Sequence, residues 1–267
     1  MEKSNPAKAG FFYSLRKMKK LIAITTDFGD AFSVAQLHAI LASFNYEGKV
    51  IENHSVTPFC VIEGAFQIQS LAKFTPRGTI HLGVVDPGVG SNRRGIIIKN
   101  HLSWYIGPDN GLLYPAAKNA GIDKVWRIKE AEVSDNFSNT FHGRDVFIKT
   151  AIFIAQGKHP EDFGSKKISA ETINKLINQN GQILHIDYFG NIKVFWDKPI
   201  ISGEKLKIKI KNKKINFPVV RTFTDVEKGR PLAYKGSNDT LDLAINLGNA
   251  SKKYGLKTGE ILKIEQV

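Results

Sequence analysis

Leu21-Ile22-Ala23-Ile24-Thr25-Thr26-Asp27-Phe28-Gly29 is the stretch that decides the fold class. Six apolar or β-branched residues run together, the pattern of a strand buried on both faces rather than one half in solvent. A carboxylate and a glycine close the run, and residues 33–44 then carry Val34, Leu37 and Leu41 at helical spacing. Strand, loop and helix in that order open an α/β unit. Working outward, residues 50–53 predict a short strand, 62–74 a helix, and 79–85 a second apolar strand ending at Asp86. Residues 95–99 and 104–106 predict two more strands, and 145–156 a strongly apolar helix. The reading is an α/β fold built on a mostly parallel sheet.

The character changes after Gly164. Residues 168–180 are polar and predict a linker with a short helix. Strands then dominate at 182–188, 192–196, 206–210, 214–220 and 260–265, which predicts a small C-terminal β-barrel. The expected organisation is a flexible basic extension over residues 1–17, an α/β catalytic domain over 18–170, and a linker with the β-barrel domain over 171–267. Met18, just ahead of the first strand, reads as a natural start.

The chain has 267 residues and a formal net charge of +13. That charge suggests nucleic acid until it is located. Residues 1–20 carry six Lys or Arg against Glu2, and residues 198–217 carry seven Lys against Glu204, so these two stretches supply 11 of the 13 charges. The second includes Lys205-Leu206-Lys207-Ile208-Lys209-Ile210-Lys211, an alternation at strand period expected of an exposed or edge strand whose lysines deter pairing. Lysines without interleaved aromatics are a poor nucleic-acid signature, so no nucleic-acid partner is expected. No apolar run reaches the length of a membrane span, and a soluble protein without a membrane partner is expected. The single Cys60 forbids an internal disulfide, fits a reducing, cytoplasmic setting, and reads as a small core residue.

Three turns could hold chemistry. Asp27, Asp86 and the pair Asp109-Asn110 each follow a predicted strand, and carboxyl ends of neighbouring strands line one crevice in an open α/β sheet. A carboxylate offers only acceptors, which suits a ribose diol. The plainer reading is that each aspartate caps a turn or helix. In Thr140-Phe141-His142-Gly143-Arg144-Asp145, Thr140 or Asp145 would cap the following helix and leave His142 exposed at its mouth. No paired His or Cys spacing supports a metal, so none is expected.

The motifs Thr25–Gly29, Val85-Asp86-Pro87-Gly88-Val89-Gly90 with Arg93, Pro108-Asp109-Asn110-Gly111, Thr140–Asp145 and Ile186-Asp187-Tyr188-Phe189-Gly190-Asn191 occur in that order. Together they resemble the S-adenosyl-L-methionine (SAM) hydroxide adenosyltransferases, also called SAM hydrolases, relatives of the fluorinase and chlorinase enzymes. The resemblance runs from about residue 20 to the end and includes residues 241–251. It implies an α/β domain followed by a β-barrel, and a water-activating triad at Asp86, Arg93 and His142. It implies that Asp27 holds the ribose hydroxyls and that Phe59 lies beside the substrate. Asp187, Phe189, Asn191, Ser237, Asn249 and Ala250 would contact the methionine and adenine ends. It further implies a homotrimer with the substrate held between subunits, and no cofactor. The chain departs from the family pattern after Gly29, where Asp30 stands in a shortened loop, after Asn191, where Ile192-Lys193 replaces a Thr-Asn pair, and at Asn238 and Asp239.

The expected reaction is hydrolysis of SAM to adenosine and L-methionine. Halogenating relatives differ at the positions of the triad, and an aspartate beside a halide would repel it, so water is the expected nucleophile. Two alternatives are a halide-dependent adenosyl transferase and a non-catalytic protein that binds SAM or adenosine. Which triad member accepts the proton is open at the level of sequence.

Overall fold

Ile22–Thr26 forms β1, every residue of it buried, in a computed structural model that describes residues 20–267. The extension expected at residues 1–17 and the start expected at Met18 lie outside the described residues. β1 pairs in parallel with β2 (Val50–Asn53) on one side and with β3 (Ile80–Val84) on the other. The crossovers are helices α1 (Ala31–Ser43) and α2 (Val61–Ala72). Leu37 and Leu41 of α1 join Ile22, Ile24 and Leu82 in one core layer, while Ala65 and Ile68 of α2 join a second. The helices therefore cover both faces of the sheet, which is why β1 and β3 read as unbroken apolar runs.

β4 (Gly95–Lys99) and β5 (Trp104–Pro108) are antiparallel neighbours, and β5 pairs in parallel with β3. A short helix α3 (Tyr114–Lys118), β6 (Lys124–Arg127), the single turn α4 (Glu130–Val133), α5 (Ile148–Ala155) and β7 (Lys166–Ile168) complete this half. The sheet order is β2-β1-β3-β5-β4-β6-β7. Only β4 and β7 oppose the common direction, so the large sheet is mixed and mostly parallel. α5 does not begin as the apolar pattern suggests: residues Gly143–Phe147 form a π-helical turn ahead of it.

The C-terminal strands are β8 (Ile183–Ile186), β9 (Ile192–Val194), β10 (Lys205–Ile210), β11 (Lys213–Pro218), β12 (Pro231–Lys235), β13 (Leu241–Ile245) and β14 (Lys263–Gln266), with helix α6 (Ala250–Tyr254) before the last. They make two antiparallel sheets, β11-β10-β14 and β12-β13-β9-β8, around one core that includes Val194, Ile208, Phe217 and Leu243. The expected barrel is corrected here, because no sheet closes. Isolated bridges at Val219–Ala233 and Gln182–Ile261 are the only pairing between the two sheets among the described residues. Pro218 ends β11 and Pro231 begins β12, and neither has an N–H to extend a ladder across that seam.

The lysine-rich strand is also corrected. β10 is the middle strand of its sheet, between β11 and β14, with Leu206, Ile208 and Ile210 buried and the lysines on the solvent face. Its alternation marks a one-sided sheet rather than an edge. Among the described residues no helix is long and apolar enough to cross a membrane.

Candidate active site

Because β1 and β3 are parallel neighbours, their carboxyl ends deliver Asp27 and Asp86 to the same edge of the sheet. Asn110, in the turn after β5, donates from Nδ2 to the Val85 carbonyl at 2.8 Å and so fixes the backbone beside Asp86. The third contributor is the turn before the π-helical segment. Asp145 accepts from the Ser138 backbone N–H at 2.8 Å and from Arg144 Nε at 2.7 Å, which ties that turn down from within. Gly90 sits at φ +77°, and a Cβ on it would lie 2.6 Å from the Asn139 carbonyl oxygen. A side chain there would force apart the loops that carry Asp86 and His142.

Those loops bring the sequence-predicted triad into contact. Arg93 Nε donates to the two Asp86 oxygens at 3.0 and 2.8 Å, and Nη2 also donates to Oδ2. The same Nη2 reaches His142 Nδ1 at 3.0 Å. The side chains of Arg93 and Asp86 are 9% and 6% exposed. A buried ion pair of this kind is held by its geometry, here a two-point fork with the guanidinium carbon 5.1 Å from the Phe147 ring centre. His142 is buried, not exposed at a helix mouth as expected, and meets Phe137 edge to face at 5.5 Å. Neither Thr140 nor Asp145 caps the helix; the π turn instead lets His142 turn inward.

Burial pushes the His142 pKa below its usual 6.5, and the adjacent Arg93 charge pushes it further in the same direction. The imidazole is therefore neutral at pH 7. A guanidinium can only donate, so Nδ1 is the acceptor and Nε2 carries the hydrogen. Two polar atoms of this group, His142 Nε2 and Arg93 Nη1, are buried without a hydrogen-bond partner among the described residues.

Asp27, Asp86, His142 and Phe59 line one cleft of about 290 Å³, together with Phe28 and Phe141. Phe59 takes a left-handed backbone conformation, φ +64°, unusual for a bulky residue. That turn points its N–H at Asp27 Oδ2, 2.7 Å away, and leaves the residue 72% exposed at the cleft. Burial raises the Asp27 pKa, the Phe59 N–H opposes the rise, and the charge of Asp86 adds to it. Asp30 also lines the cleft, accepting from the Ser33 N–H at 2.7 Å as the cap of α1.

One contributor was missed from sequence. Glu63, buried in α2, accepts from the Thr57 N–H at 2.8 Å and contacts His185 Nδ1 at 2.5 Å, so it anchors the Thr57–Phe59 turn to the C-terminal half. A lone carboxylate between Ile62 and Gly64 on an apolar helix face was the available signal. Conversely, Asp109 does not join the cleft. It is buried against Arg94, with Nε at 2.8 Å, and accepts from the Asn174 N–H at 2.8 Å. Cys60 is half-buried at the start of α2 rather than in the core.

The C-terminal candidates fall into two groups, neither of them in the cleft. Asp187 accepts from the Phe189 and Asn191 N–H groups, each at 3.0 Å, and shapes the hairpin between β8 and β9. Asn249 caps α6 by accepting from the Lys252 N–H at 2.7 Å, and Ser251 N–H donates to the Gly190 carbonyl, so Asp187, Phe189, Asn191, Asn249 and the buried Ala250 lie together. Ser237 is exposed on the turn before β13, at the opposite end of that strand from Asn249. Among the described residues, no three His, Cys, Asp or Glu side chains are arranged to hold a metal ion.

Residues 22–164 match the SAM hydroxide adenosyltransferase N-terminal domain, and residues 181–263 match the C-terminal domain of the same family. An (R)-S-adenosyl-L-methionine hydrolase of Thermus thermophilus is 32% identical over 250 residues, covering 88% of this chain and 95% of the relative. Its counterpart from Salinispora tropica is 32% identical over 261 residues, covering 91% and 97%. A fluorinase of Actinopolyspora mzabensis is more distant, 26% identical over 290 residues, covering 92% and 97%. A crystal structure of an uncharacterized conserved protein from Thermotoga maritima superimposes with a TM-score of 0.82 at 27% identity, covering 91% of this chain and all of that one. With both domains matched in order and relatives aligned along nearly its whole length, the chain belongs to the SAM hydroxide adenosyltransferase family.

Proposed function

We propose that the protein hydrolyses S-adenosyl-L-methionine to adenosine and L-methionine, with Asp86, Arg93 and His142 handling the water and Asp27 holding the ribose. The observation that carries this reading is the continuous, buried Asp86–Arg93–His142 contact beside a cleft that also presents Asp27. The water oxygen attacks ribose C5′ while the C5′–S bond breaks and its electron pair stays on sulfur. Methionine leaves as a neutral thioether, so the leaving group needs no proton. The nucleophile does have a proton to lose. Within the triad Arg93 has no acceptor and His142 Nδ1 is engaged, which leaves Asp86 to take it. His142 Nε2–H donates to the nucleophile's oxygen and orients it, and the Arg93 charge favours developing hydroxide.

The two-domain reading is part of the proposal: residues 18–170 carry the chemistry, and 171–267 complete the substrate site. The cleft is lined by residues 27–143 and, at about 290 Å³, lies at the lower edge of ligand-sized pockets. Tyr188 and Phe189 are 96% and 71% exposed on the β8–β9 hairpin, an apolar tip suited to closing over another copy's cleft. We therefore infer a homotrimer with each site shared between subunits, to be tested by sedimentation equilibrium.

Chromatography of purified protein incubated with SAM tests the chemistry. Adenosine and methionine should form without halide. Product that forms only with chloride or fluoride would transfer the reading to halide-dependent adenosyl transfer. Tight adenosine or SAM binding with no product would make this a binding protein.

A further inference from the structure

A second cavity of about 400 Å³ lies against the triad, lined by Asn92, Arg93, Arg127, Phe137, Asn139 and His142 among others. The two spaces divide the triad between them. Asp86 lines the cleft and not the rear cavity, Arg93 lines the rear cavity and not the cleft, and His142 lines both. The Asp86–Arg93 pair thus has one member on each space, and His142 borders both. Of the five buried polar side-chain atoms without a partner among the described residues, two, Arg93 Nη1 and His142 Nε2, belong to residues lining the rear cavity. Both residues are more than nine-tenths buried by side chain or whole residue. A buried N–H without a partner is destabilising, and water is the partner such a group ordinarily finds.

We propose that the rear cavity is the port and holding site for the nucleophilic water, separate from the cleft that admits the adenosyl substrate. The proposal rests on the hydrolase reading and adds a route to it. A substrate seated over Asp27 and Phe59 would plug the cleft, and the second reactant then needs its own way in. Arg93 Nη1 and His142 Nε2 are closed to both spaces as the side chains stand, so entry from behind requires the Arg93–His142 contact to part, and a water admitted there arrives among donors that stabilise partial negative charge. Arg127 adds a second guanidinium to the same cavity wall, against the single carboxylate of Glu130. The cavity is far larger than the ~30 Å³ one water occupies, so it holds a small cluster that refills the reactive position after each turnover.

Plugging the port from opposite rims tests this. Asn92 and Arg127 are exposed at the cavity wall and belong to neither the triad nor the cleft. Asn92→Trp and Arg127→Trp, each made alone and then combined, should lower kcat at least tenfold in the combined form. The KM for SAM and its calorimetric affinity should stay within twofold of wild type. If one plug fails to fold, the other decides by the same criterion. Unslowed turnover in a folded double variant, or a fall in SAM affinity that matches the fall in kcat, overturns the port. A wild-type protein that binds SAM without turning it over overturns the hydrolase reading itself, a result separable from failure of the plugs.

Discussion

A guanidinium cannot accept a hydrogen bond, and at Arg93 that fixes which face of His142 is spent and which is usable. Protonating His142 would set a new N–H against Arg93 Nη2, 3.0 Å away, and break the triad. Since burial and Arg93 hold the imidazole pKa below 6.5, the acid-side fall of kcat/KM should have its midpoint below pH 6.5. A pH–rate profile with its acid midpoint above 6.5 would contradict this assignment. Arg93→Ala and His142→Ala should each lower kcat by about 10²–10⁴ while changing the KM for SAM much less. Asp27→Asn should act the other way, raising KM about tenfold or more, because the amide replaces an acceptor with a donor where ribose hydroxyls must donate. Steady-state kinetics on the three variants checks both expectations. At this scale the sequence was informative about identity and silent about environment. Asp27, Asp86, Arg93 and His142 stand in recognisable turns, but nothing in those turns says that His142 is buried. The left-handed Phe59 was equally hidden, because a bulky residue at φ +64° is held there by Asp27, thirty-two positions earlier.

At the scale of elements, legibility followed burial on two faces. β1 and β3 were readable because helices cover both sides of them and leave no polar positions. β12 and β13 were not singled out, since Pro231-Leu232-Ala233-Tyr234-Lys235 has no clean alternation and the next strand buries Asp242 beside Lys193. β6 offers four residues with charges at both ends, too short for a period to show. The lysine alternation of β10 was read correctly as one-sided, yet edge and central strands share that pattern when one face is wet. The loops between elements make a sharper prediction. Gly90→Ala places a methyl 2.6 Å from a backbone carbonyl and strains a φ of +77° at once. It should cost about 1–3 kcal/mol in chemical denaturation. Because the clash lies between the loops of Asp86 and His142, kcat should fall as well, even at temperatures where the variant remains folded.

For the whole molecule, the two sheets of the C-terminal half explain why a barrel was expected and not found: strand count and spacing suit either, and closure depends on whether seam residues can donate. The large sheet carries a different consequence in its middle. His81, on β3, is 1% exposed, stacked on Tyr105 at 5.1 Å, with Nε2 3.2 Å from Thr75 Oγ1. Burial pushes its pKa down from 6.5 to about 4. The folded protein therefore refuses a proton that the unfolded chain accepts near pH 6.5. Stability from the neutral His81 is fully present above pH 6.5, declines as pH falls toward 4, and has no further to fall below that. The interval corresponds to about 3 kcal/mol. His142, also depressed, adds a loss of the same sign on acidification, so comparison with a variant is needed to isolate His81. Urea unfolding of wild type and His81→Gln at steps between pH 7 and 4 supplies it. The variant should be less stable at pH 7 but lose less on acidification, and the two curves should converge as pH approaches 4. Parallel curves over that range would mean that the folded core takes up the proton as readily as the unfolded chain does.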